Sequence, residues 1–280
     1  MRGKHSMGRG RKAVLYTTAK DGNPQANHLQ YTVAGCGPLL VYIPGLDGSG
    51  ELFFKQEPAL SRSYRVVKFQ LREQGPFTYR DLVDDVAAIL DDLEEQQAVI
   101  IGESFGGGVA LTFALHHPER VERLVIVNSF PRFRHHLRIR LAAWLARAIP
   151  FRITWLFRWV VVSVGLRLEG VRGEERRRFL EILRRVGQEG YWRRLRLISQ
   201  IDIEDRLPEI QAPALFIAGE KDLLVPSVRE AQAMAARMPN ATVKIIKGVG
   251  HGCLLGDKVC LADILAEALQ DSRSSSAVSG

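Results

Sequence analysis

A chain of 280 residues, 46% hydrophobic and 25% charged, has the composition of a folded globular protein able to bury a sizeable core. Three cysteines (Cys36, Cys253, Cys260) without CxxC spacing argue against a disulfide framework or a zinc site and suit a reducing compartment. The formal net charge of +8 is unevenly held: between Phe130 and Gln200 stand seventeen Arg, no Lys and five Glu, with no zinc-finger spacing, RNP-type aromatics or Lys-rich tract to indicate nucleic acid.

The first 28 residues are expected to form an extension, partly flexible. Its opening, "MRGKHSMGRGRK", is basic, but the apolar run behind it, "AVLY", is far too short for a signal-peptide core. No uncharged and continuously apolar span reaches the roughly 18 residues of a membrane-crossing helix. A soluble, cytoplasmic protein is the expectation.

From residue 29 short apolar runs alternate with helical patterns. A strand is expected through "LQYTVAG" (29–35), then at "LLVYI" (39–43), "RVVKF" (65–69), "AVII" (98–101), "LVIV" (124–127), "ALFIA" (214–218) and "TVKII" (242–246). Several are continuously apolar, as parallel strands covered on both faces are. Between them, "TYRDLVDDVAAILDDLEEQ" has Thr78 and Asp81 at capping-box spacing and an apolar face of Leu82, Val86, Ile89, Leu90 and Leu93. Further helices are expected at 226–238 and 257–269. This alternation predicts an α/β fold with a doubly wound, mostly parallel central sheet, built from residues 29–130 and 206–271. Residues 131–205 contain no good strand candidate and read as a helical, Arg- and Trp-rich lid inserted between two strands. The tail from 272 to 280, "SRSSSAVSG", reads as disordered.

The chemistry gathers where strands end, the position at which open parallel sheets place functional groups. After "AVI" comes "IGESFGGG": a serine on a tight strand-to-helix turn, flanked by glycines, exposes its hydroxyl at a helix N-terminus. Alone G-x-S-x-G is a weak pattern; directly after a strand and before a helix it makes Ser104 a candidate nucleophile. Its hydroxyl needs a base. After His136 the chain has a single histidine, His251, in "GVGHGC" just past a strand. That base needs an acid to hold its tautomer. Asp202, Asp205 and Asp222 are the Asp residues between Ser104 and His251, and Asp222, in "GEKDLLVP", follows a strand. Glu220 is the second choice, and Asp202 and Asp205 suit a cap or a solvated face. The loop "PGLDGSG" (44–50) follows another strand, and its glycines let backbone approach a substrate oxygen. The N–H groups of Leu46 and Phe105 are expected to form an oxyanion hole. No Lys follows these glycines as a phosphate-cradling loop requires. No metal or organic cofactor is expected.

Together "YIPGLDGSG", "IGESFGGGVAL", "LFIAGEKDLLVP" and "IKGVGHGCLL" resemble the α/β-hydrolase superfamily, in its serine esterase and lipase-like branch, over residues 30–270. The resemblance implies hydrolysis of esters, thioesters or amides, or acyl transfer. A serine rather than an aspartate nucleophile sets the chain apart from the dehalogenase and epoxide-hydrolase branches. Pro44-Gly45 stands where many relatives have His-Gly, and "PGLDGSG" also resembles the loop of acyltransferases that make lipid esters.

The expected activity is therefore cleavage of carboxylic esters with an apolar acyl group through a Ser104–His251–Asp222 triad and an acyl-enzyme. Acyl transfer to an alcohol and a non-enzymatic ligand-binding or signalling role stand as alternatives. In "RLAAWLARAIPFRITWLFRWVVVSVGLRL" (140–168), Trp144, Trp155 and Trp159 alternate with Arg147, Arg152 and Arg158. That segment reads as a packed cap with solvated arginines, as an amphipathic lid meeting anionic lipid, or as a site for an anionic headgroup or coenzyme A phosphate. Neighbouring His116 and His117, late in a helix, are expected to be structural and favoured in their protonated form. His135 and His136 lack visible partners for a metal. Cys253 is expected to be wall rather than chemistry.

Overall fold

The computed structural model of the chain describes residues 11–17, 27–133, 171 and 173–278. Among them eight strands form one sheet: β1 (Arg11–Thr17), β2 (Asn27–Ala34), β3 (Leu39–Ile43), β4 (Arg65–Phe69), β5 (Ala98–Glu103), β6 (Val121–Val127), β7 (Ala214–Gly219) and β8 (Ala241–Ile246). Their spatial order is β1-β2-β4-β3-β5-β6-β7-β8. The first two strands pair antiparallel with each other, β2 pairs antiparallel with β4, and every pairing from β4 to β8 is parallel.

The continuous apolar runs follow from two-sided burial. Along β3, Leu39, Val41 and Ile43 enter one core and Leu40 and Tyr42 the other. The first core is closed by α2 (Tyr79–Asp92), α3 (Phe105–His116) and α6 (Ser227–Ala235). The second is closed by a turn of 3₁₀-helix over Glu51–Lys55, by α1 (Glu57–Leu60) and by α7 (Leu261–Val278). Each fully buried Leu, Ile or Phe contributes roughly 1.5–3 kcal/mol. Helix α2 opens with the expected capping box between Thr78 and Asp81 and buries Leu82, Val86, Ile89 and Leu90, with Val83 on the same face.

The ends of the chain differ from expectation. Strand β1 lies inside the stretch expected to be an extension. Its register on β2 runs from Arg11↔Val33 to Thr17↔Asn27, so a short apolar run gains a full backbone ladder. Helix α7 begins at Leu261, where the buried side chain of Gln56 accepts the Leu261 amide at 2.9 Å and its own amide donates to the Leu254 and Val259 carbonyls. It continues to Val278, so the serines expected to be disordered from 272 are helical to that point. Serine costs only a few tenths of a kcal/mol per residue in a helix already nucleated.

Between β6 and β7 the described residues contain α4 (Gly173–Arg185), α5 (Gln188–Ile198) and a 3₁₀ turn (Glu204–Glu209), and no strand. Residues 140–168, with the Trp and Arg residues singled out above, and His135 and His136 lie outside the described residues. No helix among the described residues is long and apolar enough to cross a membrane.

Candidate active site

Strands β3 and β5 are neighbours whose connections leave in opposite directions, to β4 on one side and to β6 on the other. That reversal opens a crevice at their carboxyl ends. Ser104 stands there between β5 and α3 with φ 53° and ψ −116°, a sparsely populated conformation for a side chain. Such a residue costs on the order of 1–3 kcal/mol and must be held by its neighbours. Its N–H donates to Val127 O at 2.8 Å, and its carbonyl accepts from Ser129 Oγ at 2.7 Å and Gly107 N–H at 3.0 Å. The glycines around it leave room for this turn. A methyl on Gly106 would lie 2.2 Å from Ile43 O, and one on Gly107 would lie 2.3 Å from Ser129 Oγ.

His251 follows β8 and is 6% exposed. Its Nε2 lies 2.8 Å from Ser104 Oγ and its Nδ1 lies 2.7 Å from Asp222 Oδ2. With Asp222 ionised, Nδ1–H donates to the carboxylate and Nε2 is left to accept from the serine hydroxyl. Asp222 follows β7 with its side chain fully buried. Its Oδ1 accepts the amides of Leu224 at 2.9 Å and Val225 at 3.1 Å, and its Oδ2 also accepts from Ser227 Oγ. Four donors around one carboxylate fix its orientation.

Leu46 and Phe105 belong to the two segments that adjoin Ser104, the loop after β3 and the start of α3. Phe105 opens α3, so its N–H is one of the first-turn amides without an intrahelical acceptor. Leu46 sits in the loop after β3, next to Gly45, where a methyl would lie 3.6 Å from Ser104 Cβ. A turn from Gly48 N–H to Gly45 O at 3.1 Å, and Leu71 N–H on Gly48 O at 2.8 Å, shape this loop.

Beneath the serine, Tyr42 Oη donates to Glu103 Oε2 while its ring stacks on Phe53 at 4.0 Å. Burial pushes the Glu103 carboxyl up to about 7; the Tyr42 hydrogen bond opposes this, Asp47 adds to it and His251 opposes it.

The other residues weighed from sequence fall elsewhere. Glu220 Oε2 accepts Gly248 N–H at 2.9 Å and so shapes the turn that leads to His251. Asp202 pairs with Arg132 at 3.3 Å, and Asp205 is exposed at the start of a 3₁₀ turn. Cys253 is buried, with its thiol pushed up chiefly by burial, and accepts from Asn128 Nδ2 at 3.3 Å. For His116 the expectation of a favoured protonated form is reversed. Desolvation first, then Arg80 and Arg206, hold it below its ordinary value, and these outweigh the helix terminus. His117 packs on Phe113 at 5.1 Å.

Three residues that support the site were not found from sequence. Asn128, with φ 48° at the end of β6, donates from Nδ2 to His251 O at 2.8 Å and accepts Gly219 N–H at 2.8 Å, so one amide gauges the acid loop against the base loop. Ser129 holds the Ser104 carbonyl. Both stand in "VNSF", two polar residues at a strand's carboxyl end, the same signal that marked Ser104, Asp222 and His251. Arg194 on α5 reaches the loop after β3.

A family model described as alpha/beta hydrolase fold matches residues 38–257. The chain belongs to the α/β-hydrolase fold family. Within that family it is 30% identical over 228 residues to a protein named carbamate hydrolase RutD from Caulobacter sp. (strain K31), covering 74% of this chain and 81% of that one. It is 29% identical over 234 residues to the RutD of Yersinia enterocolitica, covering 76% and 80%. Among solved structures it is similar to a thermophilic esterase from Thermogutta terrifontis, with TM-score 0.79, 22% identity and coverage of 93% and 98%. It is also similar to the enol-lactonase from Burkholderia xenovorans LB400, with TM-score 0.71, 23% identity and coverage of 87% and 95%. These two share the α/β-hydrolase fold.

Proposed function

We propose that the protein is a serine hydrolase of carboxylic esters. The observation that carries this reading is the relay from Ser104 Oγ through the two nitrogens of His251 to a fully buried Asp222, with bonds of 2.8 and 2.7 Å. Ser104 Oγ attacks the ester carbonyl while His251 Nε2 takes its proton. The tetrahedral oxyanion is stabilised by the Leu46 and Phe105 amides. Collapse expels the alcohol, which receives the proton from His251, and leaves Ser104 acylated. Water, deprotonated by His251, then releases the acid and restores the serine. Asp222 keeps Nδ1 protonated throughout and stabilises the imidazolium. The insertion between β6 and β7 acts as the cover of this site, a role supported by Ile201, whose Cδ1 lies 2.5 Å from where a methyl on Gly108 would stand.

Relatives named as carbamate hydrolases support a second substrate, since attack on a carbamate carbonyl uses the same groups. The test is multiple-turnover hydrolysis of p-nitrophenyl esters from acetate to palmitate, with p-nitrophenyl carbamates alongside, by wild type and Ser104→Ala. The mutant is expected to lose a factor of about 10⁴ or more in kcat, and the faster leaving series names the substrate class. Equal rates in both proteins overturn the reading.

A further inference from the structure

Among the described arginines between Phe130 and Gln200, Arg194 stands apart: it is fully buried, at 0% exposure. Removing a guanidinium from water costs several kcal/mol unless its donors are met. Glu73 meets one of them, with Oε1 at 3.0 Å from Nη2. Three more donors of the fork are used on backbone. Nε donates to Leu46 O at 3.1 Å, Nη2 to Asp47 O at 3.1 Å and Nη1 to Arg72 O at 3.0 Å. Two of these carbonyls belong to Leu46 and to the residue after it. The loop is shaped to receive the group. Gly48, at φ +68°, leaves a space in which a methyl would lie 2.4 Å from Arg194 Cζ. The third carbonyl, that of Arg72, is itself anchored, because the Arg72 side chain forks onto buried Asp85 of α2 with two bonds of 2.8 Å.

An ion pair that merely fastened α5 to the core would need the carboxylate alone. The planar fork spans two consecutive carbonyls of one loop and a third from another, a geometry that a lysine's point charge cannot reproduce. Resting on the hydrolase reading above, we propose that Arg194 is a positioning residue: from the insertion helix α5 it holds the loop after β3 so that the Leu46 N–H keeps its place at the oxyanion. Arg194 then acts on the rate of attack at Ser104 through the loop, without touching the triad.

The readout is the rate at which a fluorophosphonate probe labels Ser104, which needs no knowledge of the natural ester. Wild type, Arg194→Lys, Glu73→Gln and Gly48→Ala are compared, with circular dichroism reporting the folded fraction. Arg194→Lys is expected to slow labelling about 100-fold, the scale of losing one oxyanion donor. The pH profile of labelling keeps its wild-type shape, because Arg194 makes no contact with Ser104, His251 or Asp222. Glu73→Gln, which leaves the carbonyl contacts in place, stays within about threefold of wild type on the same scale. If Arg194→Lys does not fold, Gly48→Ala disturbs the same seat from the loop side with Arg194 intact, and a comparable loss is expected. Folded Arg194→Lys or Gly48→Ala labelling at the wild-type rate overturns the inference alone, and so does an equal loss in Glu73→Gln and Arg194→Lys. A wild type that the probe does not label overturns the hydrolase reading and this inference with it.

Discussion

Glu103 immediately precedes Ser104, and burial raises its carboxyl from an ordinary 4.5 to about 7 in the folded protein. Its contribution to stability is therefore complete below about 4.5 and is withdrawn as the pH climbs through about 7, where the folded state must hold a buried charge. A shift of that size corresponds to roughly 3 kcal/mol. Glu103→Gln keeps an acceptor for Tyr42 Oη and removes the ionisation. Urea midpoints of wild type and variant are expected to separate progressively between pH 4.5 and 7, the variant becoming the more stable, and then to run parallel. A separation that does not change with pH would refute this. Asn128 is the second residue with a sharp expectation. Asn128→Ala leaves Gly219 N–H and His251 O without their partner, at about 1–3 kcal/mol for each buried group stranded. It also frees the His251 loop relative to Asp222. Its kcat is expected to fall while labelling of Ser104 persists at a reduced rate.

At the level of elements, the turn from β5 into α3 explains why glycine is used where a helix begins. Gly102 packs against Gly106 O, where a methyl would come within 2.5 Å, and Gly106 against the carbonyl of Ile43. Gly106→Ala drives backbone against backbone, with no flexible side chain to yield. It is expected to destabilise the fold by about 3 kcal/mol and to displace Ser104; thermal denaturation with fluorophosphonate labelling in parallel measures both. Most of this architecture was legible in the sequence. The parallel strands could be found because both faces of each are buried, which makes Leu39–Ile43 or Ala214–Gly219 apolar throughout. The Ser104, His251 and Asp222 cluster could be found because a single histidine follows His136, three aspartates stand between Ser104 and His251, and the chosen ones follow strands. Strand β1 escaped because "AVLY" beside a basic stretch has no pattern of its own, and its ladder on β2 supplies the order. Arg194 escaped because composition does not separate it from sixteen other arginines. Only helical periodicity does, by setting it on the buried stripe of Gly190, Leu197 and Ile198.

For the molecule as a whole, the sheet has two edges of different character. At one, β8 is half-buried, with Lys244 paired to Glu267 on α7 and Ile245 exposed. At the other, β1 covers β2 along seven paired residues. Deleting residues 1–20 would turn β2 into an open edge with unpaired amides and carbonyls, a template for strand addition. The truncated protein is expected to lose about 5 °C or more in Tm and to associate with rising concentration in sedimentation velocity, while labelling of Ser104 in the remaining monomer is retained. Monomeric behaviour at the wild-type Tm would show that β1 is dispensable.

The seat of Arg194 bears on how such a protein can diversify. Helix α5 belongs to the insertion, the part of the chain free to vary in length and composition without breaking the sheet. Yet its guanidinium fills a space that Gly48 leaves vacant, and it satisfies carbonyls of three residues on the scaffold side. A foreign insertion transplanted between β6 and β7 would arrive without that key and leave a buried polar hole beside the crevice. Helix α5 and the loop after β3 are therefore a matched pair: a grafted insertion is expected to be tolerated where it brings an arginine to this place, or where the loop after β3 is reshaped at the same time.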